Sequence, residues 1–184
     1  MNTIEKRRFA DPIEYRRSGR TTTLTGYGAV FNRLSEDLGG FREVISEEAF
    51  NDLDQSDVRA LFNHDPNHIL GRTTAGTLRL FIDDHGLRYE LDLPDTTLGR
   101  DLSESVKRGD ISESSFAFRV LEDSWETRDG MQIRTIKKVA ELIDVSPVTY
   151  PAYKDASVSA RAAGLRAKAN TVEVARVRLL DLIG

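Results

Sequence analysis

Apolar residues recur at every second position in several short stretches, the period of strands with one buried face. Leu78, Leu80 and Ile82 alternate in this way, and so do Leu87, Tyr89, Leu91 and Leu93, with Arg88, Glu90 and Asp92 between them. The polar turn Asp83-Asp84-His85-Gly86 joins the two runs and predicts a hairpin that ends at Pro94. Residues 21–31 alternate with Leu24 and Val30 on one side and Tyr27 and Phe31 on the other, and Gly26 and Gly28 predict a bulge or bend. Residues 41–45 and 58–64 read as further strands. Residues 111–122 and 131–149 form a last pair, joined across Arg128-Asp129-Gly130, a strong turn signal.

The period changes in two places. After Pro94 a helix is expected, capped near Asp95 or Thr96 and stopped by Gly109, with Leu98, Leu102, Ser105 and Val106 on one stripe. Ser46 followed by Glu47 and Glu48 reads as a second helix start leading into Ala49, Phe50 and Leu53. Several short strands with two or three helices between them predict a mostly antiparallel α+β domain. Closure into a β-barrel, which removes sheet edges, is the expected solution.

Composition narrows the function classes. The 184 residues carry a net charge of −4, unevenly spread. From residue 160 to 184 five basic residues face two acidic ones, so this alanine-rich segment is +3 and the remainder −7. We read residues 1–159 as the functional domain and 160–184 as a basic C-terminal extension. The rival reading docks residues 171–183 as a last helix, with Val174, Val177 and Leu180 against the body or the second subunit of a homo-oligomer. An acidic body lacks the clustered cations that nucleic acid requires, so no nucleic-acid partner is expected. The absence of cysteine excludes a thiolate nucleophile, disulfides and cysteine-ligated zinc. No apolar run approaches the roughly 18 residues needed to span a bilayer, and the charged stretch from Glu5 to Arg8 precedes no apolar core. A soluble intracellular protein without membrane contact is the expectation.

Candidate chemistry centres on three segments. His64 ends a strand-like run, and Asp65-Pro66 is expected to turn the chain out of the strand. An imidazole at a strand end has a near-neutral pKa suited to general-base work. Ser114 and Ser115 are adjacent, so strand parity separates them. Ser114 shares a face with Phe116, Phe118 and Val120, the core face, whereas Ser115 lies on the other and is the better nucleophile. Glu141 and Asp144 are the two acids available to orient the imidazole, and parity does not choose between them. Serine, base and acid are the parts of an acyl-transfer site. Taken singly, each residue also has an ordinary structural reading: a strand serine, a backbone-bonded histidine, an acid paired with arginine. His64 and His68 stand four apart, a zinc-ligand spacing only on a helix, which Pro66 argues against; no metal is expected.

The chain resembles the caudovirus prohead proteases, the maturation peptidases of HK97-like tailed phages, whose fold is similar to that of herpesvirus assemblins. Residues 24–31, 41–45 with Ala49-Phe50, Leu61-Phe62-Asn63-His64-Asp65, Leu70-Gly71-Arg72 and Gly76-Thr77-Leu78 carry the first half of the resemblance. Leu91-Asp92-Leu93-Pro94, Arg108-Gly109-Asp110, Ser115-Phe116-Ala117-Phe118 and the run from Asp144-Val145-Ser146-Pro147 to Tyr153 carry the second. The family commonly shows Gly-Met where this chain has Glu113-Ser114, and Gly where it has Ala117. The resemblance implies a herpesvirus-protease-like fold, His64 as base, Ser115 as nucleophile and Asp144 as the acid. It implies no cofactor. Expected substrates are the scaffolding segment of the major capsid protein, other prohead proteins and the protease itself, inside the prohead in the host cytoplasm. A non-enzymatic internal scaffold or capsid-binding assembly protein is the alternative.

Overall fold

A computed structural model describes residues 3–9, 11–19 and 21–149. The strands are β1 (Glu5–Phe9), β2 (Glu14–Ser18), β3 (Thr21–Val30), β4 (Phe41–Ile45), β5 (Arg59–Phe62) and β6 (Asp65–Arg72). They continue with β7 (Leu78–Ile82), β8 (Gly86–Asp92), β9 (Glu113–Arg128) and β10 (Met131–Val148), and the helix α1 spans Thr97–Arg108. The extension from residue 160 onward, and the helix expected within it, lie outside the described residues. Among the described residues no helix is long and apolar enough to cross a membrane.

The strands make two sheets. The larger runs β1-β9-β10-β5-β6, with β4 beside the other half of β10, and the smaller runs β2-β3-β8-β7. Neither closes on itself, so the expected α+β barrel is corrected to a mostly β structure of two open sheets. The reason lies in β9 and β10, which form one long hairpin across Asp129 and Gly130, both in the left-handed region. Register shifts between Ile136 and Asp144 bend that hairpin. Its two halves therefore meet different neighbours, β4 along residues 132–136 and β5 at Asp144 and Val145, both in parallel. Among the described residues, β1 and β6 are the two ends of this strand order.

One apolar core joins the sheets. Leu24, Leu87, Tyr89 and Leu91 from the smaller sheet pack with Phe116, Phe118, Leu142 and Val145 from the larger. The Phe116 and Phe118 rings stack at 4.4 Å between centroids. Each large side chain of this kind contributes roughly 1.5–3 kcal/mol by leaving water. The predicted hairpin of β7 and β8 forms, and the glycine-bearing β3 carries its bulge between Tyr27 and Ala29.

Helix α1 follows its local signals. Thr96 caps it by accepting the Gly99 N–H at 3.2 Å, and Gly109 ends it at φ 83°. Gly99 is required, because a Cβ there would lie 2.0 Å from the Pro94 carbonyl oxygen. The segment after Ser46 stops at a single 3-10 turn, Glu47–Phe50, that buries Ala49 and Phe50. Beyond it the polar side chains bond locally, as Asp54 does by accepting the Ser56 N–H at 2.8 Å, and this competes with helix growth.

Candidate active site

Strand β9 presents its two serines to opposite faces. Ser114 enters the core, where its hydroxyl lies 2.7 Å from the hydroxyl of fully buried Tyr89. Burial pushes that phenol up to about 12, with the hydrogen bond from Ser114 acting the other way. Ser115 faces the other side, opposite Ser146 across the ladder, and is itself fully buried.

His64 sits in the turn between β5 and β6. Phe62 pairs with Asp65, and the two residues between them, Asn63 and His64, both have φ of 56°. This is the backbone of a two-residue hairpin turn that normally takes Asn-Gly. A histidine in the glycine position is strained by about 1–2 kcal/mol. Three hydrogen bonds hold the turn against the end of β10. Asn63 donates its backbone N–H to the Pro147 carbonyl at 3.1 Å and its side-chain amide to Thr149 Oγ1 at 3.1 Å, and its Oδ1 accepts the Thr149 N–H at 2.8 Å. The expectation that Asp65-Pro66 drives the chain out of the strand is corrected. Strand β6 begins at Asp65, and Pro66 lies in the edge strand of the sheet, a position where strands accommodate proline.

The acid is placed by a bulge. Leu142 pairs with Phe118, but the next partners are Asp144 and Ala117, so Ile143 is an extra residue. Without it Asp144 would share the Phe116 face. With it, Asp144 and Ser146 stand on the Ser115 side while Leu142 and Val145 remain in the core. Glu141 lies opposite Arg119 and pairs with it at 2.8 Å, with its side chain 58% exposed.

The structure brings His64, Ser115 and Asp144 together. His64 Nδ1 is 2.6 Å from Asp144 Oδ1, and Nε2 is 2.6 Å from Ser115 Oγ. An ionised carboxylate can only accept, so Nδ1 carries the proton and the Nε2 lone pair faces the serine hydroxyl. Ser146 donates to the same Asp144 Oδ1 at 2.6 Å, fixing the carboxylate from the other side. The His64 and Asp144 side chains are 7% and 5% exposed, so water competes little for these bonds. Such a chain can move the serine proton onto the imidazole while a nucleophile forms.

The other histidines stand apart. His68 is exposed with Nδ1 3.2 Å from Asp65, and His85 lies 2.6 Å from Asp11 with its ring edge-on to Tyr27. Residues that sequence reasoning did not reach are Ser146, the Asn63–Thr149 clamp and Arg7, whose carbonyl oxygen accepts from Ser115 Oγ at 2.9 Å. Only Asn63 carried a local signal, as a residue tolerant of left-handed geometry ahead of a turn.

The structure of the bacteriophage T4 capsid assembly protease, gp21, is similar with a TM-score of 0.48 and 11% identity, covering 79% of this chain and 96% of that one. No curated protein matches the chain. The family model of the caudovirus prohead serine protease matches residues 11–171, and the chain therefore belongs to that family, the serine proteases of phage prohead maturation.

Proposed function

We propose that Ser115, His64 and Asp144 carry the peptide-bond hydrolysis. Ser115 Oγ attacks the scissile carbonyl and becomes acylated, while His64 takes its proton and returns it to the leaving amine. Asp144 keeps the imidazole in the required tautomer, and a water deprotonated by His64 then hydrolyses the acyl ester and regenerates Ser115. The observation that carries this reading is the continuous hydrogen-bond chain from Ser146 through Asp144 and His64 to Ser115. The substrates we assign are the scaffolding segment of the major capsid protein, other proteins enclosed in the prohead, and the protease itself, cut within the shell in the host cytoplasm. No cofactor takes part.

Residues 160–184 would then form a removable basic extension of the 1–159 protease domain, open to attack by neighbouring copies. Co-expression with the major capsid precursor, read by mass spectrometry, tests the whole reading. Defined cuts in the precursor and loss of the extension are expected, both absent with Ser115→Ala. Cuts that persist in that variant reject the assignment.

A further inference from the structure

Ser115 is covered by the chain's own first strand. Strand β1 pairs antiparallel with β9, with Arg8 directly opposite Ser115 and Arg7 opposite Phe116. The Arg7 carbonyl oxygen accepts the Ser115 hydroxyl at 2.9 Å, while His64 Nε2 lies 2.6 Å from the same Oγ. The hydroxyl has one proton. When Arg7 holds it, the proton between Oγ and Nε2 must come from the ring. Because Nδ1 already donates to Asp144, that ring is doubly protonated and has no lone pair left to act as a base. An extended backbone thus occupies the place where a scissile carbonyl must arrive, and it does so in strand geometry.

The bonds that hold β1 divide cleanly. Arg7 and Glu5, both buried, pair with each other at 2.7 Å, and they dock on buried Glu43 of β4 and Arg134 of β10. If β1 leaves, Arg7 and Glu5 depart as an opposite-charge pair. Arg134 keeps Glu43 at 3.0 Å and Asp123 at 2.6 Å. No buried charge is stranded without a counterion, which is the costly outcome of breaking an ion pair. On the other face Arg8 donates to Glu113 Oε2 at 2.9 Å, so departure of β1 also frees a carboxylate two residues from the serine.

We infer that the stretch of β9 now paired with β1 is the substrate-binding edge of this protease, and that β1 is an internal occupant which an incoming strand displaces. The ligand is an extended peptide, antiparallel to β9, that presents its carbonyl where Arg7 does. It carries a basic side chain on the following residue, where Arg8 meets Glu113. Recognition is by strand addition, with the backbone supplying affinity and the Glu113 carboxylate supplying selection. This inference rests on Ser115 being the nucleophile.

A disulfide between β1 and β9 tests it. The chain has no cysteine, and Lys6 stands directly opposite Ala117, within the span a disulfide bridges. The variant Lys6→Cys/Ala117→Cys is compared with itself, oxidised and reduced. Labelling of Ser115 by a fluorophosphonate and cleavage of the capsid precursor should both fall at least about ten-fold on oxidation and recover on reduction. Equal rates in the two states overturn the inference while leaving the protease reading intact. Failure of unmodified protein to label at Ser115 overturns the protease reading itself.

A second measurement needs no crosslink. Hydrogen exchange on Ser115→Ala protein should show the amides of residues 5–9 losing protection when capsid precursor is added; unchanged protection rejects displacement. For selection, a peptide cut by the wild type is remade with Glu in place of its basic residue after the scissile bond. It should be cleaved about ten-fold more slowly, and Glu113→Gln should erase that preference. A preference that survives Glu113→Gln removes Glu113 from the site.

Discussion

The two faces of β9 are built on opposite principles from adjacent residues. On one, Ser114 lies among Phe116, Phe118 and Val120, its hydroxyl closed off by Tyr89. On the other, Ser115 lies among His64, Asp144 and Ser146, all linked by hydrogen bonds. Both serines are fully buried. Burial therefore does not distinguish them; what differs is whether the hydroxyl's partner can take its proton. A phenol that burial keeps protonated cannot take up another proton, whereas an imidazole oriented by a carboxylate can.

The largest effect expected separates the serines themselves. Ser115→Ala should lower precursor turnover on the order of 10⁶-fold in a folded protein. Ser114→Ala should keep turnover within a few-fold and instead lose about 1–3 kcal/mol in denaturant unfolding, because Tyr89 Oη is left without its partner. Equal losses of turnover in both variants would break the comparison.

Next comes the acid. Asp144→Asn should cost about 10³–10⁴ in rate, since the amide no longer enforces the productive tautomer. Glu141→Gln should leave the rate near wild type, because its carboxylate is largely exposed and pairs with Arg119 at the surface. The reverse order would mean that the strand bulge is misplaced.

The apolar face can be probed by pH. The Tyr89 phenol titrates near 12 in the folded protein against about 10 unfolded. Its contribution is fully present below pH 10 and is lost as the pH climbs toward 12, because the unfolded chain releases the proton first. Stability should fall by roughly 3 kcal/mol across that window. Tyr89→Phe should flatten this part of the profile, and an unchanged slope would show that another group governs alkaline unfolding.

The smallest effect belongs to the clamp. Asn63→Gly preserves the left-handed backbone but removes both side-chain bonds to Thr149. A loss of about 10–10² in kcat with little change in KM is expected from a loosened imidazole. An unaffected kcat would mean that the Pro147 bond alone positions the turn.

How much of this was legible in the sequence varied with the strand. Parity separated the serines because β9 has no inserted residue from Glu113 to Val120, so neighbouring side chains take opposite faces although both faces are buried. It could not separate Glu141 from Asp144, since the extra residue at Ile143 puts an odd-numbered and an even-numbered acid on one face. Helix α1 was readable from its caps because both act within one turn of the chain. The barrel was not, because closure depends on which distant strands meet, and here β10 changes partners midway along its length. Strand β1 was hidden by its charge: Glu5 and Arg7 alternate as buried positions do, but a buried arginine looks like a surface one until its carboxylate partners are located.

That the sheets stay open has a consequence at the far edge. A closed barrel has no exposed ladder groups, whereas an open sheet offers its last strand to any neighbour. A shell that confines proteases beside their substrates is a crowded place for such an edge. Strand β6 is unsuited to being copied. Its pairing with β5 jumps from Asp65 opposite Phe62 to Ile69 opposite Leu61, leaving residues 66–68 out of register, with Pro66 lacking a donor among them. A second chain laid along β6 would find an interrupted row of donors and acceptors. The irregularity beside the histidine turn thereby makes β6 a poor template for edge-to-edge pairing, in contrast to the regular β1–β9 ladder at the other end of the sheet.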